Sequence, residues 1–185
     1  MKVISLTKKR ANNLHSGLGM EKGNAETVCE LREPAPHFEG TAWWNGEMKD
    51  INLNQFKGKY VVLFFYPLDF TFVCPTEICE FSDAAKKFED INCQVIGCST
   101  DSPFTHAEYT KKPRDKGGLG PMNIPLLSDM GHKISKDYGC LITKGGDAGI
   151  AYRATYIIGP DGILRHKSMN DLAVGRSVSE VMRLV

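Results

Sequence analysis

The chain has 185 residues, 42% hydrophobic and 24% charged, which suits one domain around one packed core. Lys and Arg total 23 against 22 for Asp and Glu, a formal net charge of +1, so no global field recruits nucleic acid or an anionic membrane surface. No run of about 18 apolar residues occurs, which excludes a helical membrane span on length.

The first twenty residues carry Lys2, Lys8, Lys9 and Arg10 without an acidic residue, a composition that suits a mitochondrial transit segment, although Arg is sparse. The plainer reading is a flexible extension over residues 1–28, followed by a single domain over 29–185. Six cysteines at positions 29, 74, 79, 93, 98 and 140 are spread over a chain long enough to fold without staples. This argues for a reducing compartment, with the cytoplasm expected and the mitochondrion as the alternative. Cys-x-x-Cys is absent and neither Cys nor His shows zinc-site spacing, so no metal and no cofactor is predicted.

The run YVVLFFY, residues 60 to 66, is continuously apolar and rich in β-branched and aromatic types, which predicts a central strand buried on both faces. After Pro67 and Pro75, Ile78, Phe81, Ala85 and Phe88 recur at three- and four-residue steps and predict an amphipathic helix. A second buried run at 94–99 completes a right-handed βαβ unit with parallel strands. Ser102-Pro103 opens a helix that Lys111-Lys112-Pro113 closes, and the glycine-rich segment 117–121 is a loop. Strand is expected at 124–127 and helix at 131–138. Residues 154–158 and 163–167 flank Gly159-Pro160-Asp161-Gly162 and predict an antiparallel hairpin. A final helix spans 177–185. The fold class is therefore α/β with a mixed sheet.

A nucleophilic cysteine must be a thiolate, and a helix N-terminus stabilises that anion through unpaired N–H groups and the positive end of the dipole. Pro75 favours the first helical position and drives its predecessor out of the α region, which places Cys74 at the N-cap or in the first turn. Thr71 supplies a hydroxyl nearby, and Pro67, lacking an N–H, can wall a site without competing for the thiolate. A lone cysteine before a helix is more often a small buried hydrophobe. It is the combination Pro67-x3-Thr71-x2-Cys74-Pro75 between a buried strand and an amphipathic helix that points to reactivity. Cys93 and Cys98 read as core residues, His37 and His106 as surface residues, and Trp43-Trp44 as packing. Gly117-Gly118-Leu119-Gly120 has no following Lys-Ser/Thr and is not a phosphate loop.

The segment YPLDFTFVCPTE, residues 66 to 77, resembles the active-site motif of the typical two-cysteine peroxiredoxins. The resemblance runs on through PAPHFEG at 34–40, FSDAAKKF at 81–88, GGLGPMNIPLLSD at 117–129 and AVGRSVSEVMRLV at 173–185. It implies a thioredoxin-like fold in which Cys74 is the peroxidatic cysteine, Thr71 and Pro67 shape its pocket, and Arg153 in GIAYRATYIIG completes it. Glu77 and Arg176 match family positions and are expected to form a supporting charge network around Arg153.

The activity implied is thioredoxin-dependent reduction of hydrogen peroxide and small organic hydroperoxides through a Cys74 sulfenic acid. A holdase chaperone or peroxide sensor is the alternative. The family resolves the sulfenic acid with a cysteine near the C-terminus of a partner subunit, and no cysteine follows Cys140 in these residues. Cys79 lies five residues along the same helix, a Cα separation of roughly 8.6 Å on ideal geometry, too far for a disulfide without local unfolding. A homodimer, and a decamer of five dimers, is implied by the resemblance alone. Ala154, Thr155, Tyr156 and Gly159-Pro160 depart from the commoner family choices.

Overall fold

Seven strands form one mixed sheet in the order β2-β1-β5-β4-β3-β6-β7, in a computed structural model that describes residues 29–71 and 74–185. The extension expected over residues 1–28 lies outside the described residues. The strands are β1 (Glu39–Trp44), β2 (Glu47–Asn52), β3 (Tyr60–Phe65), β4 (Cys93–Ser99), β5 (Leu126–Ser128), β6 (Arg153–Ile158) and β7 (Leu164–Asn170). The helices are α1 (Cys74–Asp83), α2 (Ala85–Asp90), α3 (Pro103–Lys111), α4 (Lys133–Asp137) and α5 (Val178–Leu184). This is the thioredoxin-like α/β architecture expected.

The apolar run predicted as a central strand is β3, parallel to β4 on one side and antiparallel to β6 on the other. Because side chains alternate across a strand, Val61, Leu63 and Phe65 enter one core with Tyr138 and Tyr156. Val62, Phe64 and Tyr66 enter the other, under Phe81 and Phe88. The Phe64 and Phe81 rings stack with centroids 4.3 Å apart.

Three departures from the sequence reading have physical causes. The single amphipathic helix predicted through Phe88 is two segments, because the Ser82 carbonyl accepts from Asn123 Nδ2 at 3.2 Å and so is diverted from the helical ladder. Strand β5 starts at Leu126 rather than at Ile124, since Pro125 has no N–H to give a ladder. Its carbonyl instead accepts from Gly97 N at 3.0 Å. The hairpin of β1 and β2 went unpredicted although its signal is present: Asn45 and Gly46 both take positive φ, 53° and 82°, the pair a two-residue primed turn requires. Ser102 caps α3 as expected, its Oγ accepting from Thr105 N at 3.1 Å.

The glycine-rich loop is held by close approach. A Cβ at Gly118 would lie 2.0 Å from the Lys112 carbonyl oxygen, so only glycine fits there. Strands β3, β4 and β5 are parallel, and β6 runs against β3 with Phe64 opposite Thr155. Hence the C-terminal ends of three strands and the N-terminal end of β6 meet at one edge of the sheet, where open α/β sheets place their sites.

Candidate active site

Helix α1 starts at Cys74, after a loop that leaves β3 at Tyr66 and passes through Pro67 and Thr71. Pro67 is buried and Thr71 half-buried, and Thr71 Oγ1 donates to the Leu68 carbonyl at 3.0 Å. Phe70 takes φ 59°, a left-handed conformation that costs a bulky residue about 1–3 kcal/mol and persists only where its surroundings impose it. Its ring packs on Tyr109 at 4.3 Å between centroids, and Lys112 Nζ lies 5.7 Å over its face.

One turn into α1, Glu77 points its carboxylate into the protein at 5% exposure. Arg176 grips it by two parallel bonds, Nε to Oε1 at 2.8 Å and Nη2 to Oε2 at 2.6 Å, and donates its backbone N–H to Oε1 at 2.8 Å. The remaining nitrogen, Nη1, donates to the Phe65 carbonyl at 2.8 Å and the Ala154 carbonyl at 2.7 Å. Arg176 thereby ties β3, β6 and α1 together through one planar group, a task suited to the fixed donor fork of a guanidinium. Arg153, the first residue of β6, reaches Glu77 Oε2 through Nη1 at 3.3 Å and donates Nε to the Leu172 carbonyl at 2.7 Å. The structure thus brings Glu77, Arg153 and Arg176 together, with both guanidinium groups contacting one buried carboxylate in the first turn of α1.

Burial alone would raise the Glu77 carboxyl, but Arg176 and then Arg153 outweigh it and hold the group below its ordinary value of 4.5. A depressed folded-state value means that the stabilisation is fully present above the unfolded value and is lost as pH falls through the folded one. We therefore expect stability to drop below about pH 4.5 more steeply in the native chain than in Glu77→Gln. Denaturant midpoints measured from pH 6 to pH 3 read this difference, and parallel curves would contradict it.

The sequence reading missed a second polar cluster beneath the same loop. Asp69, 6% exposed, accepts from the Tyr66 hydroxyl through Oδ1 at 2.9 Å and bonds His106 Nδ1 through Oδ2 at 2.7 Å. Its backbone N–H donates to Asp101 Oδ2 at 2.8 Å, and that oxygen also accepts from Ser99 Oγ at 2.7 Å. His106 was expected at the surface; it is 0% exposed. Burial, then the nearby Asp69, pushes the Asp101 carboxyl up.

The surroundings of the other cysteines disfavour a thiolate. Cys29, Cys93, Cys98 and Cys140 are buried and Cys79 half-buried. Burial pushes each thiol up, Cys93 to about 12. Cys79 Sγ donates to the Leu119 carbonyl at 3.6 Å and stands in a surface groove of about 510 Å³ with Pro75, Thr76 and Arg114.

Residues 31–167 match the model of the AhpC/TSA family. The chain is 60% identical over 155 residues to the mitochondrial thioredoxin-dependent peroxide reductase of Rattus norvegicus, covering 84% of this chain and 59% of that protein. It is 57% identical over 160 residues to peroxiredoxin-2 of Bos taurus, covering 85% and 79% of the two chains. The crystal structure of reduced 2-Cys peroxiredoxin from Plasmodium vivax superposes with a TM-score of 0.78 at 44% identity, over 83% of this chain and 79% of that one. The chain thus spans 59% of the length of the rat relative, and the same share of its mouse and human counterparts.

Proposed function

The chain belongs to the AhpC/TSA family, and from that premise we propose that it is a thiol-dependent peroxidase in which Cys74 reduces hydrogen peroxide and small organic hydroperoxides. The observation that carries this reading is the pair of arginines around buried Glu77 in the first turn of α1, next to the position where a helix start favours a thiolate. Arg153 and Arg176 bring two guanidinium groups to this end of α1, and positive charge near a helix start favours an anion at the neighbouring cysteine.

In the proposed reaction the Cys74 thiolate attacks one peroxide oxygen, a sulfur–oxygen bond forms and the oxygen–oxygen bond breaks. The departing alkoxide or hydroxide takes a proton to become alcohol or water, and sulfur is left as sulfenic acid. Thr71 and Pro67 shape the pocket, while Arg153 orients the peroxide and stabilises charge on the leaving oxygen. Glu77 and Arg176 fix the position of Arg153. A second thiol then condenses with the sulfenic acid, releasing water and forming a disulfide that a thioredoxin dithiol reduces. Helix α1 runs unbroken from Cys74 through Cys79, so the folded helix keeps Cys79 out of that step.

The relatives' names support thioredoxin as the reductant, and five of them carry the word mitochondrial, which favours the mitochondrial alternative over the cytoplasm. Assembly as a homodimer, and as a decamer of dimers, is part of the same proposal.

Steady-state turnover tests the cycle. The full-length protein, supplied with thioredoxin, its reductase and a nicotinamide reductant, is expected to consume hydrogen peroxide catalytically. Catalysis that is indifferent to thioredoxin but driven by another dithiol would refute the reductant, and no catalysis with any thiol would refute the peroxidase reading.

A further inference from the structure

The loop that carries Pro67 and Thr71 is not a self-sufficient turn. Its middle residue, Asp69, is fastened by three bonds to three separate pieces of the fold: the Tyr66 hydroxyl at the end of β3, Asp101 after β4, and His106 in α3. The next residue, Phe70, stands in the left-handed region at φ 59°, a conformation the chain would leave if it were released. Thr71 follows directly. A carboxylate only accepts, so with Asp69 ionised the 2.7 Å contact to His106 requires the Nδ1–H to donate. The opposite nitrogen, Nε2, is buried without a hydrogen-bond partner among the described residues.

We propose that Asp69 and His106 are positioning residues of the peroxidase: the His106 Nδ1–H···Asp69 bond holds the Pro67–Thr71 loop in the strained form that sets Thr71 beside the start of α1. The inference rests on the peroxidase reading. It assigns no bond-making to either side chain; both act through the placement of the pocket wall. Asp101, Ser99 and Tyr66 complete the cluster, with Ser128 Oγ donating to the Asp101 carbonyl at 2.6 Å and so fastening the β4 side of the clamp to β5.

The test separates positioning from folding by measuring two reactions of Cys74 on the same samples. Rapid mixing with hydrogen peroxide reads the placed pocket, whereas alkylation by iodoacetamide reads the thiolate and needs no oriented pocket. His106→Leu removes the donor and is expected to slow peroxide reaction by about 10- to 100-fold, the range for a small misplacement of reacting groups, with alkylation nearly unchanged. His106→Asn keeps an N–H donor near the Nδ1 position without the orphaned nitrogen, and is expected to restore most of the peroxide rate. Tyr66→Phe removes one Asp69 bond while keeping the ring, and is expected to show the same split at smaller size; it carries the test if His106→Leu does not fold.

An unchanged peroxide rate in His106→Leu, an equal fall in both reactions, or failure of Asn to rescue would each overturn the proposal. In Tyr66→Phe, a peroxide rate equal to that of the native chain would do the same. If the unsubstituted chain reacts with peroxide no faster than an exposed thiol, the underlying peroxidase reading fails instead, and that result is visible before any variant is made.

Discussion

Replacing Cys74 by Ser is expected to abolish peroxide reduction, lowering the rate constant by at least about a thousandfold, as removal of a nucleophile does. Only the thiolate attacks, and burial pushes the thiols of Cys29, Cys79, Cys93, Cys98 and Cys140 up. At pH 7 a thiol like Cys93, at about 12, is ionised in roughly one molecule in 10⁵. The other thiols, all shifted in the same direction, are therefore not expected to replace Cys74 at a comparable rate. Stopped-flow reaction of the variant with peroxide checks this, and a residual rate within tenfold of the native chain would assign the chemistry to another cysteine.

The second large effect concerns the fold. Glu77→Gln keeps the shape of the side chain but leaves Arg176 and Arg153 buried without their shared counter-charge, and breaking a buried pair in this way costs about 3–5 kcal/mol. Both members of the Glu77–Arg176 pair are 5% exposed at the side chain, so water cannot take over the lost bonds. If Arg153 acts as proposed, the loss also reaches the chemistry, because Arg153 keeps its bond to the Leu172 carbonyl but loses its ion pair with Glu77. We expect a lower denaturant midpoint together with slower peroxide reaction under conditions where the variant is fully folded. Equilibrium unfolding by urea measures the first; a midpoint within experimental error of the native one would show that the carboxylate is dispensable.

Much of this was legible in the sequence, for reasons that differ from element to element. The run from Tyr60 to Tyr66 announces a central strand because burial on both faces erases alternation. Pro75 announces the helix start at Cys74 because its fixed φ and missing N–H suit the first helical position. The hairpin at Asn45-Gly46 was equally legible but flanked by two tryptophans that read only as packing.

What local pattern cannot supply is pairing over distance. Ser82 meets Asn123 41 residues away, and Asp69 meets His106 across 37 residues. A helix break and a buried cluster therefore left no periodic trace. His106 did leave a weak one, since Tyr109 and Thr110, three and four residues on, share its buried face. The charge network was different again: Glu77, Arg153 and Arg176 are scattered over 99 residues, and only the family resemblance pointed to them together. The structure then supplied the bidentate grip of Arg176 and its anchors on β3 and β6.

The most direct measurement is rapid mixing of the reduced chain with substoichiometric hydrogen peroxide, followed by trapping of sulfenic acid and mapping of the modified residue by mass spectrometry. Oxidation is expected to fall on Cys74, far faster than on a small free thiol at the same pH. Oxidation spread over several cysteines, or a Cys74 rate no higher than that of the free thiol, would contradict it.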